Sequence, residues 1–81
     1  MKKTLTERRL TKDRYFQHFR GGKYKLLGFG KDSETLKDVV IYQALHGIGQ
    51  IWVLPYDIFF SKVKDENGNE VDRFKEINEV L

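Results

Sequence analysis

His18 and His46 are the only imidazoles in this 81-residue chain, and there is no cysteine. Acid–base chemistry near neutral pH needs an imidazole or tuned carboxylate within hydrogen-bond reach of a partner. Glu34 and Asp57 are carboxylates of the right type, but no spacing holds either against a histidine. Two histidines without helical spacing or neighbouring cysteines make a poor zinc set. The missing thiols remove disulfides, iron–sulfur clusters, thiolate metal sites and cysteine nucleophiles together. Gly28-Phe29-Gly30 lacks the third glycine and the following helix of a dinucleotide loop, and no P-loop or nucleophile elbow occurs. These residue types point to a non-catalytic protein that needs no cofactor or metal.

Binding chemistry is better represented. Aromatic residues make up 14% of the chain, enough to supply a stacking platform as well as a core. Trp52, the single tryptophan, is the candidate platform, with Gln43 placed beside it by the pairing derived below. Ser33, Glu34 and Thr35 form a dense polar string that can meet a ligand's hydrogen-bonding groups or shape a turn. His18 completes the candidate ligand set, for an unidentified protein, peptide or small molecule. The alternative partner is nucleic acid. Residues 1–25 carry nine basic and two acidic side chains, whereas residues 26–81 carry six and ten. Arg8, Arg9, Lys12, Arg14, Arg20, Lys23 and Lys25, interleaved with Tyr15, Phe16 and Phe19, are the phosphate-contact candidates.

The element that positions most of these residues is Val39–Pro55, VVIYQALHGIGQIWVLP. Two runs of β-branched and aromatic residues flank a glycine-containing gap, which predicts a β-hairpin. A two- or four-residue loop sets Leu45 opposite Gln50 and Gln43 opposite Trp52. One face then carries Val40, Tyr42, Ala44, Ile51 and Val53 as core. The other carries Val39, Ile41, Gln43, Leu45, Gln50, Trp52 and Leu54 as a partly covered surface.

Around the hairpin, residues 14–19 allow one helical turn with an aromatic face. Lys23–Gly30 alternates as a first strand, and residues 31–38 form a polar connection. Pro55 ends its strand and Tyr56–Phe59 makes a helical turn. Phe60–Lys64 and Glu70–Phe74 read as strands about an Asn67-Gly68 turn, followed by a helical or frayed tail from Lys75 to Leu81. About five short strands in a Gly-punctuated chain predict a small SH3-like β-barrel over residues 15–81, with an OB-fold second. Residues 1–14 read as a basic arm with a short helix starting at the Thr4-Leu5-Thr6-Glu7 capping box.

Several strings along the chain carry a family resemblance. They are His18-Phe19-Arg20-Gly21-Gly22-Lys23-Tyr24, Ser33-Glu34-Thr35, Val40-Ile41-Tyr42-Gln43-Ala44-Leu45 and Trp52-Val53-Leu54-Pro55, with Phe59 following. In order and spacing they resemble the small bacterial domain-of-unknown-function family 1653, over roughly Phe16 to Phe74. The resemblance implies an SH3-type barrel and no particular activity. It also implies two departures: Asp32 stands where members commonly have histidine, and Leu54 where they commonly have arginine. The basic arm lies outside it. No apolar run approaches the ~18 residues of a membrane helix, and MKKTLTERRL lacks a signal-peptide core. The expectation is therefore a cytoplasmic protein without a membrane partner. Its oligomeric state is not legible.

Overall fold

The computed structural model describes residues 13–78. Seven strands and one helical turn follow in order: β1 Tyr15–His18, β2 Lys23–Lys31, β3 Asp38–Ala44, β4 Ile51–Pro55, α1 Tyr56–Phe59, β5 Lys62–Lys64, β6 Glu70–Asp72 and β7 Phe74–Ile77. Five strands form an antiparallel sheet in the order β4-β3-β2-β1-β7, while β5 and β6 pair only with each other. The expected SH3-like barrel is not formed. β4 and β7 are the two ends of the sheet and do not pair, so the sheet is open. The strands on either side of the Asn-Gly turn, counted on to close a barrel, make a separate ribbon. The core is completed instead by Phe59 of α1, which is fully buried against the sheet.

The open sheet is nevertheless strongly curled. β7 lies three places from β3, about 14 Å away in a flat sheet with ~4.8 Å spacing. The rings of Tyr42 on β3 and Phe74 on β7 have centroids only 5.3 Å apart. A displaced register helps the bend: β2 and β3 pair Leu26 with Tyr42 and then Gly28 with Ile41, leaving Leu27 as an extra residue. The concave face holds the core cluster Phe16, Val40, Tyr42, Phe59 and Phe74, with Tyr24, Leu26 and Leu54 packed at its margin. Phe59 stacks on Phe74 at 4.1 Å, and Phe16 meets Phe59 edge-on at 5.2 Å.

Two helical expectations fail for the same reason. Residues 15–18 form a strand because Phe16 and His18 share one side, opposite Tyr24 on β2 and opposite Glu76 and Phe74 on β7. The segment after Arg73 likewise extends as β7, as far as Ile77 opposite Tyr15. The proposed helix at Thr4 and the end of the tail lie outside the described residues.

The hairpin exists, with a register shifted by one. Gln43 pairs with Ile51 and Tyr42 with Trp52. The loop holds five residues, Leu45 to Gly49, closed by the Ala44 N–H donating to Gln50 O at 2.9 Å. Gly47 and Gly49 have φ of +59° and +72°, a region that costs other residues about 1–2 kcal/mol. An odd loop turns β4 over relative to the expected pairing. Val40, Tyr42 and Ala44 are core as expected, but Ile51 and Val53 are 51% and 60% exposed on the outer face. Trp52 and Leu54 take the concave side in their place.

Candidate ligand-binding site

On the concave face, beyond the sealed core, lies a groove of about 300 Å³. Tyr24, Tyr42, Leu54 and Phe74 form its floor, Trp52 one rim, and His18 and Arg73 the other. The curl of the sheet produces it, by bringing the β1–β7 side towards β4. Trp52 is 50% exposed although Tyr42, its partner across the strands, is only 8% exposed. Tyr24, Tyr42 and Phe74 interlock with centroids 5.3–5.6 Å apart, so the floor is rigid and aromatic.

His18 is fixed by its ring contacts and one hydrogen bond. It lies 4.9 Å from the Phe74 ring and 4.6 Å from Phe19, and its Nδ1 accepts the Arg20 N–H at 3.1 Å. In the neutral ring that bond leaves the proton on Nε2. Burial, then Arg73 and Arg20, hold its pKa below the ordinary 6.5. Arg73 is held by its neighbours as well. Its N–H donates to Ser61 O at 3.0 Å, its carbonyl accepts the Phe19 N–H at 3.0 Å, and its Nε donates to Ser61 Oγ at 3.1 Å. That hydroxyl in turn donates to Ile58 O at 2.6 Å. Arg73 makes no ion pair among the described residues. The Tyr42 hydroxyl makes no hydrogen bond among them either; burial, and secondarily Tyr24, raises its pKa.

Of the residues singled out for ligand binding, the groove brings together Trp52 and His18. Gln43 is on the opposite face, its amide donating to Gly49 O at 3.0 Å across the hairpin loop. Ser33, Glu34 and Thr35 sit in the β2–β3 connection, at the other end of the sheet from His18. There Asp32 Oδ1 accepts the N–H groups of Glu34 and Thr35 at 2.8 and 3.2 Å, and Thr35 Oγ1 accepts the Lys37 N–H at 3.2 Å. The backbone donors of Glu34, then Thr35, hold the Asp32 carboxyl below its usual pKa. This string builds its own turn. His46 stands in the hairpin loop, edge-on to Tyr24 at 5.5 Å. Arg73 carried no sequence signal for a site, and Tyr24 and Tyr42, aromatics that could also serve a platform, read from the sequence as core, because nothing local tells that the sheet curls over them.

The basic candidates are dispersed. Arg8, Arg9 and Lys12 lie outside the described residues. Arg14 is held in a bidentate pair with Glu76 at 2.9 and 3.0 Å, and Lys25 lies 3.6 Å from Asp13. Arg20 lies over the Phe19 ring at 5.3 Å, and Lys23 is exposed. Among the described residues no group of three histidines or carboxylates could hold a metal ion, and no helix is long and apolar enough to cross a membrane.

Comparison with known proteins agrees with the resemblance seen in the sequence. The family model for a protein of unknown function, DUF1653, matches residues 14–76. A crystal structure of a protein of that family from Bordetella bronchiseptica superposes with a TM-score of 0.74 at 24% identity, over 86% of this chain and 91% of that one. At that identity the likeness is one of fold. No curated protein matches the chain.

Proposed function

The chain belongs to the DUF1653 family of unknown function, and we propose that it is a non-catalytic binding module whose ligand site is the groove between Trp52 and Arg73. The observation that carries this reading is the half-exposed indole of Trp52 on the same side of the sheet as a sealed aromatic core. A tryptophan facing a core is ordinarily covered, since leaving it open forfeits much of its burial energy. Here its open face lies beside a concavity with rigid aromatic walls and a few polar groups, the usual composition of a ligand site. A binding role also suits His18. Its Nδ1 accepts the Arg20 N–H, which leaves the neutral ring's Nε2–H to donate to a ligand. Nucleic-acid binding is the weaker reading, because Arg14 and Lys25 already meet carboxylates.

A fragment screen read by ¹⁵N–¹H correlation spectra tests the proposal. Hits should perturb the Trp52 indole N–H together with the amides of His18 and Arg73, and Trp52→Ala should abolish those shifts. Hits that cluster elsewhere, or that bind Trp52→Ala unchanged, would refute it.

A further inference from the structure

Resting on that reading of the groove, we propose that its ligand is a planar monocarboxylate, the acid group on Arg73 and His18 and the ring against Trp52. The argument begins with charge. Arg73 lines the groove partly buried and without a carboxylate partner among the described residues. A guanidinium without a neighbouring carboxylate is a ready partner for an anion. The remainder of the lining contributes no acidic side chain. Arg73 Nε is already committed to Ser61 Oγ, which orients the guanidinium and leaves its terminal nitrogens as donors. A carboxylate matches such a fork in shape and charge.

The second argument concerns donors. His18 Nδ1 is occupied by the Arg20 N–H, so the neutral ring offers Nε2–H, a second donor on the rim that Arg73 occupies. The third is the Tyr42 hydroxyl. It lines the groove and has no partner among the described residues. As donor or acceptor it can meet a polar atom of the ligand. Size sets the class. A groove of about 300 Å³ lies at the small end of ligand sites and suits a one- or two-ring molecule. One guanidinium balances one negative charge, which favours a carboxylate over a phosphate monoester.

The test uses four probes on the full chain: benzoate, indole-3-carboxylate, indole-3-carboxamide and phenyl phosphate. Affinities are read from shifts of the Trp52, His18 and Arg73 signals. Indole-3-carboxylate should bind in the groove at least tenfold more tightly than its amide and than phenyl phosphate, with benzoate binding more weakly through its smaller ring. Arg73→Lys should remove most of the acid-over-amide preference, and His18→Ala should reduce it by a smaller factor. The second variant serves if loss of the Ser61 contact unfolds the first, which urea midpoints will reveal. Equal binding of acid and amide in the groove overturns the carboxylate assignment while leaving the groove as a site. Tighter phenyl phosphate overturns it in favour of a phosphate ligand. Groove signals unmoved by all four probes, but moved by hits from the broader screen, overturn this inference alone; signals unmoved by either overturn both proposals.

Discussion

Phe59 and Trp52 are both large aromatics on the core side of the molecule, and removing them should have opposite consequences. Phe59 is fully buried, stacked on Phe74 and edge-on to Phe16 and Tyr42. Phe59→Ala should cost about 3–5 kcal/mol in urea denaturation. Trp52→Ala deletes a side chain already half in water, so its cost should be less than about half of that. A Trp52→Ala penalty equal to that of Phe59→Ala would mean that the indole is a core group in solution. His18 adds a pH signature. Arg73 and Arg20 oppose its protonation; on its other side Asp65, Asp72 and Lys75 share a shallow surface, where Asp72 is paired with Lys62 and Asp65 accepts turn N–H groups. With a folded pKa below the ordinary 6.5, the unfolded chain takes up the proton first as pH falls. The stability contribution of neutral His18 is thus complete above about pH 6.5 and declines as pH drops through the folded pKa. Urea midpoints at a series of pH values should show that decline in the wild type and a smaller one in His18→Gln.

The β3–β4 hairpin and its loop matter most at the next scale. Gly49 adopts φ +72°, and a Cβ there would lie 3.3 Å from Gln43 Nε2, the atom that holds the Gly49 carbonyl. Gly49→Ala should therefore destabilise the protein by about 1 kcal/mol, measured as a lowered urea midpoint. A neutral result would mean that the loop can take another form. The same loop separates what was legible in the sequence from what was not. In β3 Gln43 is the single polar residue in the set, with Val39 and Ile41, that alternates with Val40, Tyr42 and Ala44, and it marks the outer face. In β4 both alternating sets are apolar, Ile51 and Val53 against Trp52 and Leu54, so pattern could not choose a face. The choice fell to the number of loop residues, and five rather than four reverses it. Trp52 stands out in the sequence because the expected pairing sets it on one face with Gln43 and Gln50; the register instead places it beside His18 and away from Gln43. Residues 15–18 were obscured by four consecutive positions that suit one turn of helix as well as a short strand.

For the molecule as a whole, strand count could not distinguish a closed barrel from an open curled sheet. Closure depends on which strands meet at the ends, and β5 and β6 meet each other. An open sheet keeps two edges, and they differ. β7, FKEI, carries Lys75 and Glu76, whereas β4, IWVLP, carries no charge and relies on Pro55 at its end. Uncharged edges are templates for pairing with other chains, and a lysine on the edge is a common safeguard. Val53→Lys, at a position 60% exposed, should raise the temperature at which light scattering begins while shifting stability by no more than about 0.5 kcal/mol. An unchanged onset would show that aggregation starts elsewhere.

Strand β1 is flanked by β2, its neighbour in the chain, and by β7; the Arg14–Glu76 pair that clamps this second junction spans 62 positions. The meander β1–β4 can zip up through successive short turns, but β7, which carries Phe74, is fixed only by pairing with β1, setting Ile77 opposite Tyr15 from the far end of the described chain. Closing so large a loop is entropically slow and comes late in such an assembly. Stopped-flow kinetics should accordingly divide the core by time of arrival. Phe74→Leu should chiefly accelerate unfolding, and Val40→Ala should chiefly slow folding. The reverse pattern would mean that the two ends of the described chain meet first and the hairpin forms afterwards.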